Sequence, residues 1–215
     1  MDEQLIKIEA DGVVMHGALA LPEHAMGVVL FANGKAGGHA SAGNERIAAA
    51  LQAAGMGTLQ LEPLSDQEEK DFYTRSDITV LTQRLDKAAA WLGLQAGTRA
   101  LPLALFGAGT GAAAALQLAA WRGKDIAAVV SRGGRPDMAG RPALEKVSAP
   151  TLLIVGGLDN DGIGLNRMAF SALPGDAQLE VINGAGARLD DAVALDAVTA
   201  LAKSWLTRHF AGKAS

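Results

Sequence analysis

The chain has 215 residues, of which 49% are hydrophobic and 20% are charged, and its formal net charge is −4. This length and composition are typical of one globular domain and exclude a disordered chain. The acidic balance disfavours nucleic acid and anionic membranes as partners, and the lack of cysteine excludes disulfide and thiolate chemistry.

The N-terminus reads Met1-Asp2-Glu3-Gln4, without the basic start and apolar run of a signal peptide. No apolar stretch has the length of a membrane span. We therefore expect a soluble cytoplasmic protein with a single domain over residues 1–215. We expect it to act on a small molecule, without cofactor or metal, as a monomer or homodimer.

An antiparallel hairpin is predicted first. Residues 5–9 and 13–21 alternate as strands around the turn Asp11-Gly12, and Pro22 ends the second strand. Residues 26–32 form a continuous apolar run, which is typical of a strand buried on both faces.

Strands and helices then alternate along the chain. The segment 33–44 is predicted as a loop and 65–75 as a polar surface excursion. Further strands are predicted over 56–61, 101–106, 126–130, 151–155 and 178–182, and helices over 45–54, 77–92, 110–121, 164–173 and 191–210. This order predicts an α/β fold with a mostly parallel central sheet, helices on both faces and no lid domain. Ligands of such sheets bind beyond the carboxyl ends of the strands.

The segment Gly107-Ala108-Gly109-Thr110-Gly111 lies between an apolar strand and an Ala-rich helix. This is the context of a nucleophile elbow, G-x-S-x-G, in which the glycines permit a strained turn. The tip projects at a helix N-terminus, where backbone N–H groups can stabilise an oxyanion. Here the tip is Gly109, which has no side chain to form an acyl-enzyme.

The elbow segment, 105–112, resembles that of the dienelactone hydrolase-like α/β-hydrolases. Four further segments resemble the same family, and the resemblance covers nearly the whole chain: 27–34, 131–137, 149–159 and 184–189. The resemblance implies an α/β-hydrolase fold and carbonyl-containing or ester-like substrates.

The same resemblance implies which residues occupy the catalytic positions. Gly109 stands where the family has Ser or Cys, and Ala187 stands where it has histidine. Asn33 replaces a usual histidine beside the oxyanion loop, and Asp159 alone remains of the triad. Three interpretations follow: a hydrolase that works without the triad, a non-catalytic protein that binds a ligand in the former active site, or a deliberately altered enzyme.

Two residues near the elbow are candidates for chemistry. Asp159 follows a Gly-Gly pair at a strand end and could activate water as a general base, or it could simply cap the following turn. Thr110 could replace the nucleophile, but the better interpretation is a helix-capping residue whose N–H is an oxyanion donor.

The loop after the third strand supplies further candidates. Lys35 could bind an anion, stabilise an oxyanion or form a Schiff base, or it could be a solvated loop lysine. Asn33 and Gly34 are candidate substrate-binding residues. His39 could replace the missing base, and a metal site built from His39, Asp159 and Asp161 matches no ligand-spacing motif.

Three arginines are candidates for binding a substrate anion. Arg132 and Arg135 follow the strand after the elbow helix, and one of them is expected to pair with a carboxylate such as Asp137. Arg188, next to Ala187, could also face the cleft.

The segment 107–112 also satisfies G-x-G-x-x-A, the dinucleotide fingerprint, between a strand and a helix. The next strand ends without an acidic residue for a ribose, although Arg132 could meet a 2′-phosphate. The motif lies in mid-chain rather than at the first βαβ unit, so NADP binding is the weaker alternative.

Overall fold

The computed structural model describes residues 3–32 and 42–212 of the chain. Eight strands form one sheet in the order β1-β2-β4-β3-β5-β6-β7-β8. The strands are β1 (Glu3–Ala10), β2 (Val13–Ala20), β3 (Val28–Ala32), β4 (Gly57–Glu62), β5 (Leu103–Gly109), β6 (Ile126–Gly134), β7 (Thr151–Gly156) and β8 (Ala177–Ile182). The α-helices are α1 (Ala42–Ala53), α2 (Asp66–Lys70), α3 (Phe72–Arg75), α4 (Ile78–Leu94), α5 (Thr110–Arg122), α6 (Arg141–Leu144), α7 (Asn160–Ala172) and α8 (Ala192–Ala211).

The predicted hairpin and parallel sheet are confirmed. Asp11 and Gly12 have φ of 52° and 79°, as a two-residue hairpin turn requires. Strand β2 pairs antiparallel with β1 and β4, and all the other pairs of neighbouring strands are parallel. The fold is therefore α/β, with an N-terminal antiparallel hairpin.

Helices cover both faces of the sheet. One buried cluster joins the sheet to α1 and α8, and the other joins it to α4 and α5. All five residues of β3 are buried, as the apolar run predicts. Phe31 and Phe106 stack at 4.7 Å between ring centroids on the α1/α8 face, and burying one such ring stabilises the fold by roughly 1.5–3 kcal/mol.

The chain reverses its direction of sheet growth between β3 and β5. From β3 it adds β4 on one side, then crosses to β5 on the other and continues outward to β8. The carboxyl ends of β3 and β5 therefore form the crevice where ligands of open α/β sheets bind. The elbow segment joins the end of β5 to the start of α5, so the fold places it beside this crevice.

Several predicted boundaries were wrong. Helix α1 begins at Ala42 rather than 45, and β6 continues to Gly134 rather than ending at 130. The surface excursion contains two short helices: a reciprocal capping box of Ser65 and Glu68 begins α2, and the Asp71 side chain caps α3. Helix α7 begins at Asn160 rather than 164. No helix in the described ranges is long and apolar enough to span a membrane.

Candidate functional site

The elbow is a sharp turn between β5 and α5. Gly109 has φ 54° and ψ −130°, and it is the residue that precedes the first turn of α5. The turn is tight because its flanking glycines lie against backbone. A Cβ on Gly107 would come 2.6 Å from Ala112 Cα, and one on Gly111 would overlap the carbonyl oxygen of Ala32. These contacts are the structural reason for the G-x-G-x-G spacing.

The tip of the elbow faces open space. Gly109 is exposed, and a Cβ built on it would meet no heavy atom of the described residues within 4 Å. Thr110 is half-buried at the first position of α5, and the helix has Gly109 as its N-cap with no side-chain cap. The expectation that Thr110 caps this helix was therefore wrong. Its own N–H belongs to the first turn, whose N–H groups lack intrahelical partners.

The end of β6 links the elbow to the loop that carries Ala187. Gly109 pairs with Gly134 in the sheet, and the N–H of Arg135 donates to the Gly109 carbonyl at 2.9 Å. Gly133 has φ 51°, and a Cβ there would overlap the carbonyl oxygen of Ala187. Only the end of β6 therefore separates Ala187 from the elbow tip.

The same loop contacts the segment that carries Asp159. The N–H of Leu158 donates to the Ala185 carbonyl at 3.0 Å. A Cβ on Gly156 would overlap the carbonyl oxygen of Gly186. The three triad positions therefore border one edge of the sheet, at the carboxyl ends of β5, β6 and β7.

Asp159 is the N-cap of α7. Its Oδ1 accepts a hydrogen bond from the N–H of Gly162 at 3.0 Å, and the side chain is half-buried. The capping interpretation of Asp159 is confirmed, and it explains why α7 begins at Asn160. A cap uses one carboxylate oxygen, so the second oxygen is available for other chemistry. The role of general base stays a prediction.

The three arginines have different surroundings. Arg135 binds Asp137 through two hydrogen bonds of 2.9 and 2.8 Å, as the sequence suggested. That pairing holds the pKa of Arg135 above its usual value. Arg188 is exposed and pairs with Asp190 at 3.0 Å. Binding of a substrate anion by Arg188 stays a prediction.

Arg132 is buried, with 6% of its surface exposed. Its side chain lies on the α1/α8 face, because a Cβ built on Gly43 would come 2.8 Å from Nη1 of Arg132 and 2.9 Å from Leu195 Cδ2. Burial lowers the pKa of this guanidinium, and the carboxylate of Asp190 opposes the effect.

Sequence reasoning missed two buried polar residues near the elbow, Asn166 and Ser131. Asn166 Nδ2 donates to the Gly162 carbonyl at 2.9 Å and to the Gly134 carbonyl at 3.3 Å. Ser131 is fully buried beneath Gly134. Asn166 thus joins the first turn of α7, which Asp159 caps, to the strand end beside the elbow. The only signal in the sequence was a polar residue on the apolar face of α7.

Four predicted site residues lie outside the described residues: Asn33, Gly34, Lys35 and His39. Within residues 3–32 and 42–212, no group of three potential metal ligands occurs. The metal site built from His39, Asp159 and Asp161 includes a residue outside those ranges, and it gains no support.

The strand order and the elbow together define the class: the protein is an α/β-hydrolase. No family model matches the chain. A crystal structure of dienelactone hydrolase from Anabaena variabilis is 40% identical to it, with a TM-score of 0.92, and the match covers 97% of this chain and 98% of that one. The chain belongs to the dienelactone hydrolase-like family of α/β-hydrolases.

Two other similarities complete the comparison. Est1E from Butyrivibrio proteoclasticus shares the fold at 13% identity, with a TM-score of 0.82, and the match covers 96% of this chain and 99% of Est1E. Two Mycobacterium tuberculosis proteins, from strains H37Rv and CDC 1551, are each 41% identical over 211 residues and are provisionally named phosphoribosyl transferases. The match covers 98% of this chain and 47% of each mycobacterial protein, so the chain spans about half the length of these curated relatives.

Proposed function

We propose that this chain hydrolyses ester-like small molecules in the cleft above Gly109 without a covalent nucleophile. The observation that carries the proposal is the conformation of Gly109. It keeps the φ of 54° and ψ of −130° of a sharp elbow, and no described residue lies within 4 Å of a Cβ built on it, although Gly109 has no side chain to present. An elbow turn that no longer holds a nucleophile still aims the first amides of α5 into the cleft.

In the proposed reaction a water molecule attacks the substrate carbonyl. A base, Asp159 or His39, takes one proton from the water while the new C–O bond forms. The Thr110 N–H and a second donor from Gly34 or Lys35 stabilise the oxyanion. The oxyanion then re-forms the carbonyl as the C–O bond to the leaving group breaks, and the protonated base returns its proton to the departing alkoxide. Oxyanion stabilisation and binding alone leave a rate about a thousandfold or more above that in water.

The name of the mycobacterial relatives bears on this proposal in one way. This chain corresponds to about half of those proteins, and its fold is that of a hydrolase family. We therefore propose hydrolysis, rather than phosphoribosyl transfer, for this chain.

An activity screen tests the proposal. Wild-type protein is assayed with aryl esters, lactones and activated phosphoesters, alongside Lys35→Ala and Asp159→Asn. Asparagine retains the helix cap but not the basicity, so Asp159→Asn removes the base without unwinding α7. Asp161→Ala, at an exposed position in the same turn, is the matched control.

We expect wild type and the control to hydrolyse at least one ester faster than buffer does. Asp159→Asn is expected to lose most of this catalysed rate. A wild-type rate equal to buffer on every substrate would refute the hydrolase. Activity that persists in both Lys35→Ala and Asp159→Asn would leave the hydrolase standing but remove these two residues from its mechanism.

A second candidate is a non-catalytic protein that binds a small ligand in the same cleft. The use of Asp159 as a helix cap favours it, because that carboxylate already has a structural task. Saturable binding of an ester that the wild type never hydrolyses would select this candidate. The weaker NADP hypothesis is tested by the fluorescence of NADPH during titration with the protein, and a flat titration would remove it.

A further inference from the structure

The end of β6 carries a buried positive charge that the described residues neutralise only in part. Arg132 is 6% exposed, and its Nε and Nη1 atoms have no hydrogen-bond partner in the part of the chain that the structure describes. These two nitrogens carry three N–H donors. Buried donors of a charged group normally have partners, since an unpaired one costs free energy. This arginine therefore differs from Arg135, whose Nε and Nη2 both donate to Asp137.

A second positive group lies against the same guanidinium. A Cβ on Gly43 would lie only 2.8 Å from Nη1 of Arg132. The guanidinium therefore packs against the first turn of α1, and any residue larger than glycine at position 43 would displace it. Helix α1 has 12 residues, and the amides of its first turn have no intrahelical partners. A helix N-terminus carries about half a positive charge, so two positive groups converge at this point.

The carboxylate of Asp190 compensates this charge only in part. Asp190 acts on Arg132 electrostatically, but burial has the larger effect on the pKa of the arginine. Asp190 also pairs with Arg188 at 3.0 Å, and its side chain is 56% exposed. Its charge is therefore shared and screened by water.

The location of these groups connects them to the cleft. Arg132 pairs in register with Ala108, the residue before the elbow tip, and parallel neighbours in register point to the same face. The first turn of α1 lies against Arg132 and Leu195, at the carboxyl end of β6. An anion held by Arg132 and α1 would thus lie beside the space above Gly109.

We propose that Arg132 and the first turn of α1 bind a phosphate group of the ligand. A phosphate offers up to two negative charges and several acceptor oxygens, which match a guanidinium together with a helix N-terminus better than a single carboxylate does. If the proposed hydrolase function holds, the substrate is a phosphorylated ester whose carbonyl lies over Gly109. The phosphate site itself does not depend on that function.

The first experiment is calorimetric titration of inorganic phosphate into the whole protein at low ionic strength. Wild type is compared with Arg132→Met, which removes the charge and keeps an unbranched side chain, and with Arg135→Met as the matched arginine control. We expect saturable binding by wild type, at least tenfold weaker binding by Arg132→Met, and a change of less than twofold in Arg135→Met. Equal losses in both variants, or no saturable binding by wild type, would overturn the proposal.

The melting temperature of Arg132→Met in phosphate-free buffer separates binding from a purely structural role. Removing a buried charge without a full partner leaves stability unchanged or raises it, so we expect no decrease in the melting temperature. A large decrease would show that Arg132 serves the fold, and would overturn the proposal.

Amide NMR of the wild type locates the site without any variant. Addition of phosphate is expected to shift the backbone amide signals of Gly43 and Asn44 more than those of Gly162 and Ala194 in the first turns of α7 and α8. A uniform response of all helix N-termini would contradict the site. Acetate at the same concentration is expected to bind at least tenfold more weakly than phosphate, and equal binding would refute the assignment to phosphate. Because no arm measures turnover, failure here is distinct from failure of the hydrolase.

Discussion

Replacing Gly109 with serine tests the geometry of the elbow directly. The new Cβ meets no heavy atom of residues 3–32 and 42–212 within 4 Å, so the substitution costs no packing energy against them. A non-glycine residue at φ 54° and ψ −130° is nevertheless strained, which costs about 1–3 kcal/mol. For a chain of this size, a loss of 1 kcal/mol lowers the melting temperature by roughly 2–4 °C, so the expected decrease is roughly 2–12 °C.

Urea unfolding followed by circular dichroism measures this cost. Gly186→Ser is the control, because a Cβ on Gly186 also meets nothing within 4 Å and its φ is not positive. We expect the control to lie within about 0.5 kcal/mol of wild type. A loss above about 4 kcal/mol in Gly109→Ser would mean that the tip is not open. A loss equal to that of the control would mean that the turn is not strained.

The double variant Gly109→Ser/Ala187→His extends the test to chemistry. Only the end of β6 separates Ala187 from Gly109, and Asp159 lies in the adjoining loop, so the variant places a serine, a histidine and an aspartate at the carboxyl edge of the sheet. We expect p-nitrophenyl acetate to give a burst of p-nitrophenol, the signature of an acyl-enzyme, that neither single variant gives. No burst from a folded double variant would show that these positions do not form a working triad.

Three further predictions concern stability and use urea unfolding. Gly111→Ala should lower the free energy of unfolding by roughly 3 kcal/mol, because its Cβ would overlap the carbonyl of Ala32 and the backbone would have to move. A loss below about 1 kcal/mol would contradict the close contact between α5 and β3. Gly164→Ala should gain about 0.5–1 kcal/mol, since this glycine lies inside α7 with open space around it, and a loss would show an unrecognised contact. Burial and Arg208 hold the pKa of His209 below its usual 6.5, although Asp176 opposes them. The unfolded chain therefore takes up the proton first as pH falls below 6.5, which destabilises the folded protein. We expect the free energy of unfolding to decrease between pH 7.5 and 5.5 in wild type and in the exposed control His16→Gln. The decrease should be smaller in His209→Gln.

The sequence by itself determined the elements whose signals are local. The apolar run of β3 and the turn Asp11-Gly12 depend only on neighbouring residues. The turn occurs as predicted, and the buried strand occurs two residues shorter than predicted, at Val28–Ala32. The elbow was also readable, because glycines around a strand-to-helix turn have a short-range steric cause. Thr110 was misread as a helix cap because the tip residue, Gly109, takes the cap position itself.

Tertiary structure alone decided what each residue at the edge of the sheet faces. Arg132 lies on the α1/α8 face because β6 pairs in register with β5, which turns its side chain toward Gly43 and Leu195. These residues are far apart along the chain, and no local pattern encodes their meeting. The buried bond from Asn166 to the Gly134 carbonyl has the same origin. Strand and helix patterns reflect short-range sterics and solvent exposure, whereas the partners of a buried polar group are set by which distant segments the folded core brings together.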